Sequence, residues 1–355
     1  MKKKIMMFSV IGVVIVAAIA ATTILLIENK KNRTIISATA GTQNSFLITE
    51  AGTLWGAGLN DSGQLGIGST DNQKDFCKIT KDVTKVSSGG KHTLILKKDK
   101  TLWAAGDNLR GQLGTDSESS SSVFVKVMDD VVSFSAGYSY STAIKSDGTL
   151  WAWGYNDSGK IIGAADKIVK KPVKVLDDCK SVLASSVFIV AIKNDNTLWY
   201  SYNGGTTLME NVVSISSGPR EHFAVLSSDG KLYTFGLNNF GQLGNSTTEN
   251  VQDEPVQIDT DVKAAAAGNL HTLYLKNDGS LWAVGSNEFG QLGDKTQEDK
   301  NKAVKIMDNV KEISAGDQHS IIMKNDGTVW AFGDNTSNQL AAGSSSVPTP
   351  VEIKL

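Results

Sequence analysis

His92, His222, His271 and His319 are the residues with the clearest capacity for chemistry in this 355-residue sequence. An imidazole can ligate a metal, relay a proton or act as a general base near neutral pH. Their spacing argues against all three roles. Each lies 11 residues before an aromatic residue (Trp103, Tyr233, Trp282, Trp330), and three further equivalents of the position hold Asn44, Tyr140 and Phe188. Side chains at corresponding places of a repeat cannot converge on one metal ion, and no acid recurs beside them. A structural role is expected, with a ring nitrogen bonding a backbone group in a turn. The two thiols, Cys77 and Cys179, are too few for a zinc site or a disulfide framework. Neither has an activating neighbour, so both are expected as buried free thiols. No Ser-His-Asp order stands out from the repeat background. No catalytic, metal or cofactor residue is therefore assigned, and a non-enzymatic function is expected.

The elements that carry these residues come in a repeat. Leu-Trp or its equivalent recurs at Trp55, Trp103, Trp151, Trp199, Tyr233, Trp282 and Trp330, with spacings of 48, 48, 48, 34, 49 and 48. Each unit reads as four short strands. In the sixth they are Pro255–Ile258, Val262–Ala267, His271–Lys276 and Ser280–Gly285. The third alternates apolar and polar residues, the mark of a half-buried strand. Asp-Gly pairs at Asp147-Gly148, Asp229-Gly230, Asp278-Gly279 and Asp326-Gly327 are read as type I′ hairpin turns between the third and fourth strands. Seven four-stranded units of this length predict an all-β chain, a seven-bladed β-propeller of antiparallel blades over 34–355. The body starts at the second segment of a unit (35–41) and ends on an isolated first segment (350–353). Pairing that last strand with the first three is expected to close the ring.

Three motifs recur in order: Ser-Ala-Gly-x-x-His-(Ser/Thr), Asp-Gly-x-Leu-Trp-Ala-x-Gly and Gly-x-Asn-x-x-Gly-Gln-Leu-Gly, the last at Gly58–Gly66, Gly106–Gly114, Gly236–Gly244 and Gly285–Gly293. Through them the chain resembles the regulator of chromosome condensation repeat family, whose fold is a seven-bladed propeller. The third unit departs from the pattern with Gly159-Lys-Ile-Ile-Gly163. The fourth lacks the turn altogether, Tyr200 to Gly205 running straight on, which predicts a notch in one rim. The resemblance implies exchange activity on the GTPase Ran and chromatin binding for eukaryotic members. It implies inhibition of β-lactamase for a secreted bacterial propeller of similar repeats. Some plant members sense UV-B with tryptophan clusters, but here six of seven tryptophans, all except Trp153, occupy the Leu-Trp packing position. The glycine loops lack the strand-to-helix context of a phosphate site and read as turns.

Ahead of the propeller, residues 5–27 form an uncharged run of 23, flanked by Lys2–Lys4 and by Lys30, Lys31 and Arg33. As a helix it would span about 34 Å, enough for the roughly 30 Å hydrocarbon layer. A transmembrane anchor is expected, with residues 1–4 as a cytoplasmic tip and 28–33 as a linker. A cleaved signal peptide is the alternative, because Ala18-Ile19-Ala20 has small-x-small form. Either places the body outside the cytoplasm. Residues 34–355 hold 29 basic and 36 acidic residues, a net charge of −7, which disfavours nucleic acid and anionic lipid as partners of the body.

Strand direction puts the turns between second and third strands on the same face as the loops that follow each fourth strand. The opposite face is monotonous. The first face varies, carrying Leu109, Arg110, Tyr138, Tyr155, Arg220, Phe240, Leu270 and Phe289. Aromatic and arginine residues dominate interface hot spots. These eight are the expected partner-binding residues of a monomeric, extracytoplasmic, membrane-anchored propeller recognising a protein or cell-wall partner.

Overall fold

The computed structural model describes residues 28–186, 188–201, 204–218 and 221–355. Those residues form seven four-stranded antiparallel sheets, each built from consecutive strands. Blade 1 contains β1 (Ile35–Ala40), β2 (Asn44–Thr49), β3 (Leu54–Gly58) and β4 (Gln73–Thr80). Blades 2 to 7 follow as 83–128, 131–176, 179–209, 212–259, 262–307 and 310–353. First strands face the axis, and their ends surround a shallow central mouth of about 100 Å³. The mouth is narrow because Gly41, Gly89, Gly137, Gly218, Gly268 and Gly316 meet around it, and a Cβ on Gly218 would overlap the Gly268 carbonyl. Residues 28–33 are helical, and the Ala51 amide donates to the Lys31 carbonyl. The expected membrane span, 5–27, lies outside the described residues.

Alternation explains the core. The leucine before each tryptophan is fully buried (Leu54, Leu102, Leu150, Leu198, Leu232, Leu281), and Val329 takes its place in blade 7. Its tryptophan points to the other side of the sheet, half-buried in most blades against the preceding blade, and is capped by a lysine. Lys97 Nζ lies 4.0 Å from the Trp103 ring centroid and Lys324 Nζ 4.3 Å from that of Trp330. Trp153, outside the repeated position, is the tryptophan with no exposure at all.

Two expectations require correction. The last strand, β28 (Ser346–Ile353), pairs with Val329–Asp334 of its own blade, and blade 1 is completed by β4. Among the described residues no strand is exchanged between the first and last blades. The sequence reading put the blade boundary one strand too early, because the two-residue link between outer and next inner strands resembles a hairpin. The ring is sealed by the contacts that join other blades. The Ala40 amide donates to Ser314 Oγ at 2.9 Å, as the Ala136 amide does to Ser87 Oγ at 3.0 Å. Secondly, the Asp-Gly turns are type I turns with a G1 bulge. The Gly148 amide donates to the Lys145 carbonyl, and only the glycine has positive φ, 82° at Gly148. The aspartate serves differently: Asp147 Oδ1 accepts from the Thr149 amide and hydroxyl, and Trp151 Nε1–H donates to that hydroxyl.

Candidate functional site: the variable-loop face

In six of the seven blades the long loop after the third strand shares one architecture, set by a buried asparagine. Asn60, Asn108, Asn156, Asn238, Asn287 and Asn335 each accept, through Oδ1, a hydrogen bond of 2.7–3.0 Å from the amide five residues on. Those amides belong to Leu65, Leu113, Ile161, Leu243, Leu292 and Leu340, all fully buried. One asparagine thus folds the loop and drives a leucine or isoleucine into the blade seam. The turns between first and second strands, as numbered within blades, lie on the same face, tied to these loops by bonds such as Asp107 N–H to the Lys91 carbonyl and Tyr155 N–H to the Ser139 carbonyl. The expected sorting of the two faces is thereby observed.

On this face the structure gathers one group of the expected residues. Leu109 and Tyr138 are 67% and 61% exposed. Arg110 lies with its guanidinium 4.5 Å from the Tyr155 ring centroid. Backbone order holds the tip: the Leu109 amide donates to Asp107 Oδ1, the Arg110 amide to Gln112 Oε1, and Gln112 Nε2 to Asp107 Oδ2 at 2.7 Å. Lys160, which replaces the usual glutamine in the third loop, extends the cluster. It is almost wholly buried, with Nζ 4.9 Å from the Tyr140 ring and 5.8 Å from Tyr155, and burial lowers its pKa. Sequence reasoning missed Lys160, although the departure Gly159-Lys-Ile-Ile-Gly163 was its signal.

Phe240 and Phe289 form a separate group two to three blades away. Both are half-buried, their amides held by Gln242 Oε1 and Gln291 Oε1. Phe240 borders a shallow groove with Ser286, Glu288, Gln297 and Asp299. Leu270 is half-buried in the neighbouring turn. Among the described residues no hydrogen bond, ion pair or ring contact joins the two groups. Arg220 lies outside the described residues.

The histidines are positioned for a different task. His92, His222 and His271 bond through Nε2 to Ser141, Thr272 and Ser320 of the next blade at 2.8–3.0 Å, and those hydroxyls donate onward to the carbonyls of Gln112, Gln242 and Gln291. A hydroxyl that has given its proton to a carbonyl must accept from Nε2–H, so the ring is the neutral Nε2–H tautomer. His319 makes the same bond to Ser45 across the seam of the chain ends, at 3.1 Å. The partner is thus a side-chain hydroxyl of the next blade and not the backbone group expected. Burial is the main cause that lowers the four pKa values to about 4 (His92, His222) and about 3 (His271, His319). Tyr140 replaces a histidine and spans its seam by donating from Oη to the Phe188 carbonyl at 2.6 Å. Cys179 is buried as expected, whereas Cys77 is only half-buried; burial raises the pKa of Cys77, and that of Cys179 to about 11, which leaves both as thiols at neutral pH. Among the described residues no three His, Cys, Asp or Glu side chains are grouped to hold a metal.

Residues 77–355 match the RCC1-like domain, and residues 51–96 match the regulator of chromosome condensation (RCC1) repeat. The chain belongs to the RCC1-like domain family. Among curated proteins no sequence matches it. Among solved structures it is similar to Prp20p of Saccharomyces cerevisiae, a protein studied for its binding to Gsp1p and histones. The two share 20% identity over 92% of this chain and 89% of that one, with a TM-score of 0.75. Yeast RCC1 (Prp20) bound by Kap60 gives 19% identity over 92% and 86%, also with a TM-score of 0.75. Human WBSCR16 gives 20% identity over 91% and 82%, with a TM-score of 0.55. At these identities the likeness establishes the RCC1-like propeller fold.

Proposed function

We propose that this RCC1-like propeller is a non-catalytic protein-binding platform, held on the outer side of the membrane by residues 5–27. It recognises a protein or cell-surface partner through its variable-loop face. One observation carries the reading: Leu109 stands exposed next to the Arg110–Tyr155 stack on a loop whose backbone is already fixed, and Tyr138 stands exposed at the central mouth on the same face. Large apolar groups in water cost free energy, and a rigid tip loses little entropy when covered. The opposite face offers instead the same Asp-Thr-Trp turn in several blades. That Prp20p is described as binding Gsp1p and histones, and is seen bound by Kap60, supports protein recognition as a use of this fold. The acidic body, at −7 over 34–355, favours basic protein surfaces over nucleic acid.

Affinity capture with the full chain tests it. The double variant Leu109→Ala, Tyr138→Ala is expected to weaken capture of the principal partner at least tenfold while leaving the melting curve unchanged. Full retention of every partner would exclude this group as the binding surface. Fractionation tests the anchor: loss of membrane association on deleting 5–27 is expected, and a chain that is cytosolic with the segment intact would overturn the placement.

A further inference from the structure

Six blades fill their own seams. Leu65 shows how: it packs with Phe46, Leu54, Val83 and Ile95 between blades 1 and 2. The seam between blades 4 and 5 has the same scaffold in Val190, Leu198, Val212 and Val225, but no counterpart of Leu65. There β15 (Leu198–Tyr200) runs to β16 (Thr206–Met209) without the asparagine-folded loop. Two polar positions have changed with it. Phe188 stands where four blades have histidine, and Phe223 where five other blades carry a serine or threonine; Phe235 takes a position held by Ala105 and Val284 but also by Trp153 and Phe332. Phe223 and Phe235 stack at 4.8 Å and 13°, and Phe188 meets Tyr200 edge-on at 6.2 Å.

What remains is a cleft of about 530 Å³, with Phe188, Tyr200, Leu208, Ile215, Phe223 and Phe235 in its wall. That volume is within the roughly 300–1,000 Å³ of ligand clefts. Its rim is acidic, with Glu221, Asp253 and Glu254, and with Val251 53% exposed beside them. Glu221 accepts from Ser186 Oγ and is felt by Lys160, whereas Asp253 and Glu254 form no ion pair with a described residue.

We propose that this cleft docks a linear segment of a partner protein that inserts one leucine- or isoleucine-sized side chain flanked by lysine or arginine. The blades' own leucines show what the seam scaffold accepts, and Asp253 and Glu254, which form no ion pair with a described residue, select a basic flank. The inserted side chain restores the contacts that the shortened loop withdrew. The cleft shares no residue with the Leu109 and Tyr138 group, so the two readings stand or fall separately.

The test uses the full chain and a fluorescent peptide, acetyl-Lys-Lys-Gly-Gln-Leu-Gly-Lys-Lys-amide, with two controls, one with leucine replaced by alanine and one with every lysine replaced by glutamate. Saturable binding is expected, weakened at least tenfold by either control, by Leu208→Asp, and by Asp253→Lys with Glu254→Lys. Leu109→Ala with Tyr138→Ala is expected to leave it unchanged. Absence of saturation at millimolar peptide would overturn the proposal, as would binding indifferent to the leucine or to the charge reversal. Loss in the Leu109 and Tyr138 variant alone would move the peptide to the loop face. Self-association broken by Asp253→Lys with Glu254→Lys, without peptide binding, would give the cleft to a second copy.

Discussion

At the scale of single residues, the histidines turn from candidate chemistry into seam bonds, and that change carries a pH signature. Each is neutral when folded, with a pKa of about 3 to 4 against about 6.5 when unfolded. Because the folded values are depressed, the stabilisation is complete above pH 6.5 and is lost as pH falls towards 4. The unfolded chain then binds protons that the folded chain refuses. The steepest loss is about 1.4 kcal/mol per pH unit for each histidine. Urea midpoints measured from pH 7.5 to 4.5 are expected to hold until about pH 6.5 and to fall below it, less steeply in His271→Gln. A flat profile would contradict the buried neutral assignment. Two other residues sit under conformational strain. Lys100 and Asn196 hold φ of 64° and 69° at the bulge position that five blades give to glycine. Lys100→Gly is expected to gain up to about 1 kcal/mol, read as a higher melting temperature.

At the scale of elements, the asparagine-folded loop is the unit that joins face to core. Its asparagine bonds order the exposed tip while its leucine closes the seam, so the two functions are coupled through five residues of chain. Asn108→Ala removes the bond to the Leu113 amide and the contacts to the Ser117 and Ser119 carbonyls. It is expected to cost about 1–3 kcal/mol and to loosen Leu109 and Arg110, seen as faster amide exchange over 107–120. Leu113→Ala should cost more, about 2–5 kcal/mol, because it opens a cavity between blades. If Asn108→Ala left exchange in its loop unchanged, the asparagine would not be what orders the tip. The links between blades form a second element. Asp82, Asp130, Asp178, Asn211, Asp261 and Asn309 all take φ near 60°, the left-handed region that Asp and Asn tolerate best among residues with a side chain.

At the scale of the whole molecule, each blade is contiguous in sequence and the ring closes by packing and hydrogen bonds between blades, without a shared sheet. Ser314, His319 and the Asp317 amide do at the closing seam what their equivalents do elsewhere. The register gives a design test. Thr80 reaches Val83 through two residues, and Ile353 is followed by Lys354 and Leu355, so Leu355 joined to Ile35 reproduces the link. A permutant so joined, with Leu355→Asp for the left-handed position and reopened between Asp129 and Asp130, is expected to fold with a native-like circular dichroism spectrum. Opening inside a blade, between Ser146 and Asp147, is expected to cost far more. Equal stability of the two would mean that blades are not the cooperative units.

Much of this was legible in the residues themselves. The 48-residue spacing and the turn glycines set the number of blades, the strand count and the sorting of the two faces, because each rests on local periodicity. The alternation in His271–Lys276 misled, since that strand is not half-buried but buried at every position except Lys276, blades covering both of its faces. The missing turn after Tyr200 announced a gap in the rim. What periodicity leaves open is phase: a sequence repeat has no marked start, so whether the outer strand belongs to the blade before or after it was decided by which strands pair in space. The same holds for the histidine partners, which lie 49 to 50 residues away on a neighbouring sheet, and for the cleft walled by Phe223 and Phe235. The histidines reach their hydroxyls, and the cleft gains its second wall, only when separate blades pack against one another, a relation that no single segment of chain contains.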